Sequence, residues 1–202
     1  MNNHNLKVLK LVLTGLFAAL CFVAFTFLQI KIPIPGGDAT SLHIGNAFCV
    51  LAALLLGGWY GGLAGAIGMT IADLIDPVYI LVAPKTFILK LCIGLITGYV
   101  AHKIAKISES NDPKYLIKWS LISSAAGLSF NVIFDPIVGY FYKMYVLGQP
   151  QEIAKVLAKL SAFTTFANAI ISTILVVFMY SALRKALPKS KSFLFHKDKK
   201  SA

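Results

Sequence analysis

The stretch HIGNAFCVLAALLLGGWYGGLAGAIGMTIADLI, residues 43–75, decides the fold. It holds one acid, Asp73, and no lysine or arginine. A run this long and this apolar belongs in a lipid or fully buried environment. Gly57-Gly58 interrupts it, so it reads as two spans, 41–57 and 58–75, joined by a tight turn near or within the membrane interface. Crossing a ~30 Å hydrocarbon core takes about 20 helical residues, so both are marginal in length. Outward from this pair lie further apolar runs at 6–30, 84–104, 117–145 and 156–187. The expectation is an all-α integral membrane protein, a bundle of six transmembrane helices. A five-span count, with 41–57 re-entrant, is the alternative.

Composition agrees. Of 202 residues, 57% are hydrophobic and 13% charged, with a mean hydropathy of +0.76. A soluble domain carries about 25% charged residues. The run after Lys10 is too long for the core of a signal peptide and lacks a small-residue cleavage site, so it is expected to be the first span. Cys21, Cys49 and Cys92 all fall in apolar runs without ligand spacing and read as packing residues.

The net charge is +11. With six spans, Lys7, Lys10, Lys103, Lys106, Lys114, Lys118, Arg184, Lys185, Lys189, Lys191, Lys197, Lys199 and Lys200 share one side, 13 of the 19 basic residues. The positive-inside rule makes that side cytoplasmic, with both termini there. Residues 1–188 form the expected membrane domain and 189–202 a polybasic cytoplasmic tail against anionic lipid. The basic pI thus calls for no nucleic acid.

Ionisable groups inside a membrane are expensive and usually face a bundle interior or a wet cavity. Four helices each carry a polar stripe at i, i+3, i+4, i+7 spacing. They are Gly65, Met69, Asp73, Asp76; Thr86, Lys90, Gly94, Thr97; Asn131, Asp135, Val138, Tyr142; and Ser161, Thr165, Asn168, Ser172. Lys85, His43 and Asn46 lie toward the same end, with Tyr79, Phe87 and Tyr142 as aromatic neighbours. All are expected to face one pocket open to the outside. The competing reading is packing: Asp73 and Lys90 as a structural ion pair, Asp135-Pro136 as a kink, Ser41 as a helix cap. The segment KIPIPGGDATSL, 31–42, cannot be helical and is either a lid at the pocket mouth or a plain connector. Gly15 and Ala19 form a small-xxx-small pair, and Gly57, Gly58, Gly61, Gly62, Gly65 and Gly68 form a series suited to close helix contact.

There is no G-x-x-x-x-G-K-[ST] and no H-E-x-x-H, so neither ATP hydrolysis nor a zinc site is expected of this chain. No cofactor is implied. An inverted repeat like those of many secondary transporters is not evident either.

Residues 43–75, with G-G-x-Y-G-G-L-A-G-A-x-G and A-D-L, are followed by YILVAPKTFILKLCIGLITGYVAHKI, 79–104, with A-P-x-T-F-I-x-K and G-x-x-x-G. Together they resemble the substrate-binding S components of energy-coupling-factor (ECF) vitamin transporters, in the riboflavin, pyridoxine and hydroxymethylpyrimidine group. The resemblance is good over the first four spans and looser beyond. It implies six helices, a vitamin pocket near the outer face, and contact of Gly15 and Ala19 with a transmembrane coupling subunit. It also implies two cytoplasmic ATPase subunits and a toppling of the S component to release substrate inward. Asp73, Thr86 and Lys90 match motif positions near the pocket. Lys85 and Asp76-Pro77-Val78 depart from the expected glycine-containing loop, so the vitamin is not named by the motifs. The expected substrate site is Asp73, Lys90, Thr86, Lys85, His43, Asn46, Tyr79, Asn131, Asp135 and Asn168. A B6 vitamer or hydroxymethylpyrimidine is favoured, riboflavin next. The expected location is a prokaryotic plasma membrane. The rival functions are a membrane enzyme using Asp73 and Asp135, and a stand-alone channel or carrier.

Overall fold

The computed structural model describes residues 3–34 and 38–186, with only the backbone described at Asn3 and Asp38. The tail expected at 189–202 lies outside the described residues. The described residues form six α-helices and one β-hairpin. They are α1 (Asn3–Phe27), β1 (Gln29–Ile34), β2 (Asp38–His43), α2 (Gly45–Leu56), α3 (Gly58–Ile75), α4 (Ala83–Tyr99), α5 (Pro113–Phe141) and α6 (Gln151–Ala186). A short 3₁₀ turn, Ile80–Val82, leads into α4. Wider π turns at Val100–Ile104 and Tyr142–Val146 finish α4 and α5.

Four helical segments are long and apolar enough to cross a membrane: His4–Phe27, Ile80–Ile104, Pro113–Val146 and Gln151–Ala186. α2 is not among them. Its 12 residues extend about 18 Å, well short of a hydrocarbon core. Eleven of the twelve are buried, so α2 meets protein on all sides. It starts later than the expected residue 41 because residues 38–43 pair with 29–34 as an antiparallel hairpin, Gln29 opposite His43 and Ile34 opposite Asp38. Ser41 therefore caps no helix. It lies in β2, and the residue preceding α2 is Ile44, which makes no side-chain cap.

A single residue turns the chain between α2 and α3. Gly57 has φ +98°, a conformation that side chains rarely adopt. The Ala53 carbonyl near the end of α2 accepts from the Gly57 N–H at 3.1 Å, and His102, in the π turn after α4, places Nε2 3.0 Å from the same oxygen.

Glycine sets the packing of α3. A Cβ on Gly61 or Gly65 would strike Ala53 or Cys49 of α2, and one on Gly68 would strike the Ala18 carbonyl of α1. On the α4 side, a Cβ on Gly94 or Gly98 would strike the backbone of Gly62 or Gly58. Three neighbours thus approach one helix at backbone distance, which is the use small residues have in lipid-embedded bundles. α5 and α6 pack on each other, and α5 on α4, completing the bundle. At the far end from the hairpin, Asp112 caps α5 by accepting from the Lys114 N–H at 3.0 Å, with Pro113 in the first turn.

Candidate functional site

The ends of α3 to α6, with the hairpin above them, line a cavity that is partly open to solvent. Each wall follows from a helical stripe. α3 contributes Asp73, and α4 contributes Lys85, Thr86 and Lys90. α5 contributes Asp135, Pro136 and Gly139. α6 contributes Leu157, Ser161, Thr164, Thr165 and Asn168. The hairpin supplies Thr40, Ser41 and His43, α1 supplies Phe25, and Tyr79 stands in the α3–α4 connection.

Eight of the ten residues expected at the site line this one space: Asp73, Lys90, Thr86, Lys85, His43, Tyr79, Asp135 and Asn168. Asn46 and Asn131 are not among the lining residues. Asn46 sits in the first turn of the all-round buried α2, and Asn131 lies one turn deeper than Asp135. Both are buried with an unpartnered carbonyl oxygen. Asp76 also leaves the stripe that spacing gave it. It follows the last residue of α3, accepts from the Val78 N–H at 3.1 Å and pairs with Lys31 of the hairpin. Phe87 and Tyr142 do not line the cavity, and the Tyr142 hydroxyl donates to the Leu81 carbonyl at 2.9 Å. Sequence reasoning missed Phe25, Thr40 and Thr164. Phe25 lies one turn beyond buried Cys21 on α1, away from the exposed Gly15 and Ala19 face, so helical spacing could have found it.

The charges are unevenly matched. Lys85 Nζ lies 2.9 Å from Asp135 Oδ1, and the Ser161 hydroxyl donates to the other oxygen. That acid and base are spoken for. Asp73 and Lys90 do not form the structural ion pair that spacing allowed; neither appears in an ion pair among the described residues. Asp73 Oδ2 has no hydrogen-bond partner, and neither has His43 Nδ1. β2 is outside the long membrane-capable helices, and there burial, with the Lys90 cation nearby, pushes His43 down to about 3. Its ring is neutral at any physiological pH.

Aromatic rings form the wall on the α1 side. Phe25 meets His43 edge-on, centroids 4.7 Å apart, and Tyr79 tilted at 6.1 Å. The hairpin is fastened over the cavity from α6. Asn168 accepts from the His43 N–H and donates to the Ser41 carbonyl, both at 3.0 Å, and the Thr40 and Thr164 hydroxyls bond at 2.6 Å. A second tie reaches α3 through Lys31 and Asp76, and the Lys31 ammonium lies 5.4 Å from the Tyr79 ring centroid.

A partly open cavity lined by polar and aromatic side chains inside an apolar helical bundle suits ligand capture. The sequence family described as ECF-type riboflavin transporter, S component, matches residues 5–185. This chain belongs to that family. S components are membrane-embedded, substrate-binding and non-catalytic, and they associate with the membrane and ATPase components of an ECF transporter. Two solved structures share its fold. One is an S component for biotin from an ECF-type ABC transporter, 22% identical, with a TM-score of 0.63 over 96% of this chain and 99% of that one. The other is ThiT from Listeria monocytogenes, 17% identical, with a TM-score of 0.61 over 93% and 98%. Comparison with curated proteins gave no match. The S component described here therefore binds a vitamin, and its own cavity must say which kind.

Proposed function

We propose that this S component captures a small heterocyclic vitamin or precursor, a B6 vitamer or hydroxymethylpyrimidine, at the outer face of a prokaryotic plasma membrane. A coupling subunit and two cytoplasmic ATPases, with which it assembles, then drive import. One observation carries the reading. The described residues enclose a cavity lined by buried, incompletely bonded polar groups and three aromatic rings, beneath a hairpin that ties it to α6 and α3. Rings stack on a heterocycle, and a few fixed polar groups select its substituents. Asp73, Lys90, Thr86, Lys85, His43, Tyr79, Asp135 and Asn168 are the binding groups of this reading. Asn46 and Asn131 support it from behind the wall. The hairpin acts as the lid.

The charge distribution supports both termini on the cytoplasmic side, with α2 too short to cross the core by itself. α2 and α3 then make one short excursion from the cavity end to the Gly57 turn and back. Gly15 and Ala19 are exposed on α1, and a Cβ at Gly15 would meet nothing within 4 Å. With exposed Leu11, Val12 and Leu16 they make a smooth apolar face fit for the coupling subunit.

Riboflavin is the second reading, favoured by the description of the matching family. A stand-alone carrier is the third. Reconstitution in liposomes separates the last from the first two. The purified chain alone should give no concentrative uptake, and the chain with an ATP-hydrolysing ECF module should give it. Active uptake by the chain alone would overturn the capture-subunit reading.

A further inference from the structure

The inference here rests on the vitamin-capture reading and concerns the ionic form of the ligand. Three cavity-lining side chains are more than nine-tenths buried. They are Lys90, 7% exposed; Asp73, 2% exposed; and His43, 8% exposed. Asp73 Oδ2 and His43 Nδ1 have no hydrogen-bond partner, and Lys90 has no ion pair among the described residues. The other charged groups near them are Lys85 and Asp135, which hold each other, Lys143 at the cavity edge, and Asp76, which is held by Lys31. Asp73, with Thr86 on one oxygen, and Lys90 remain, on adjoining helices, without an ion pair between them among the described residues.

Burying a charge without a partner is costly. A ligand that completes this site must offer Lys90 an anionic acceptor and Asp73 a positively charged or strongly polarised N–H. It must also be flat enough to lie against Phe25, Tyr79 and His43. A neutral aminopyrimidine supplies an N–H for Asp73 but no anion for Lys90. A carboxylic acid serves Lys90 and leaves Asp73 alone. A neutral flavin ring offers Asp73 an imide N–H but brings no anion to Lys90. A 3-hydroxypyridine serves both, because its stable form in neutral water includes a zwitterion with a protonated ring nitrogen and an ionised ring hydroxyl. We propose that the site selects the zwitterion of a 3-hydroxypyridine, with Lys90 on the ionised hydroxyl, Asp73 on the ring N–H, and neutral His43 bonding a ring substituent.

The test uses the purified wild-type chain in detergent and three probes: pyridoxine, its 3-O-methyl ether, and 4-amino-5-hydroxymethyl-2-methylpyrimidine. Bound pyridoxine should show the long-wavelength absorption of the zwitterion, not the shorter-wavelength band of the neutral tautomer. The methyl ether, which cannot ionise there, should bind about 10- to 100-fold more weakly. In K90M, pyridoxine should fall to the affinity of the ether while the ether itself changes little. In D73N pyridoxine should weaken, whereas the ether, whose ring nitrogen carries no proton in neutral water, should change little. Neutral-tautomer absorption of bound pyridoxine, or equal affinity for the ether, would overturn the zwitterion proposal and leave vitamin capture standing. So would tight binding of the pyrimidine with none of pyridoxine. Failure of these probes and of every other vitamin tried would overturn vitamin capture itself. The spectral and analogue arms need no variant, so a misfolded K90M or D73N cannot decide the matter.

Discussion

At the scale of single residues, the cavity is organised by which charges find partners. Lys85 and Asp135 are 11% and 13% exposed and 2.9 Å apart. Removing one strands the other in a site mostly shut off from water, at a cost of about 3 kcal/mol. K85M or D135N alone should lower the unfolding temperature in detergent clearly, and K85M/D135N should be more stable than either single variant. Additive losses would show that the two do not act as a pair. Sequence spacing found these side chains because intramembrane charge is rare enough to be conspicuous. It did not find how they pair: Asp73 and Lys90 sit on stripes that allow an ion pair, yet Lys85 holds Asp135 across α4 and α5 instead. Pairing depends on helix rotation and depth, which spacing along one helix does not contain. The same lack sent Asn131 and Asn46 to the cavity on paper while the bundle buries them behind it.

At the scale of elements, small residues and the hairpin carry the consequences. The glycine series in α3 was legible as close packing, and G-x-x-x-G in α4 met it directly: Gly58 and Gly62 face Gly98 and Gly94. G94A should cost about 1–3 kcal/mol by forcing α3 and α4 apart, whereas G15A, with open space around it, should be neutral. Thermal unfolding of the two variants side by side checks this. The hairpin was not legible as strands. Pro33, Pro35 and the two glycines excluded a helix and read as a loop. The alternation of Ile30, Ile32 and Ile34 was the period-two signal available, and Pro33 is tolerated because a two-stranded ribbon has only edges. Asn168 holds that ribbon by two backbone bonds. N168A should leave the His43 N–H and Ser41 carbonyl without partners and loosen the lid by about 1–3 kcal/mol. The readout is faster amide exchange across residues 38–43 together with faster ligand release. Unchanged exchange there would mean that the hairpin is held by other contacts.

At the scale of the whole molecule, the bundle separates two jobs. One end holds the cavity proposed for the ligand, while α1 shows an exposed small-residue face on its other side. The short α2 reached the correct place for a reason that hydropathy alone hides: a helix apolar all round is equally fit for lipid and for a protein interior, and here the interior won. G15L/A19L should bind vitamin with wild-type affinity yet lose uptake in liposomes containing the ECF module. Retained uptake would remove that face from the coupling interface. The central claim is that this chain by itself is a high-affinity vitamin receptor, and calorimetric titration of the detergent-purified chain against a vitamin panel tests it most directly. The account predicts one-to-one binding of a single small heterocycle with a submicromolar Kd, about −8 kcal/mol or stronger; no heat of binding from any vitamin in the panel would contradict it.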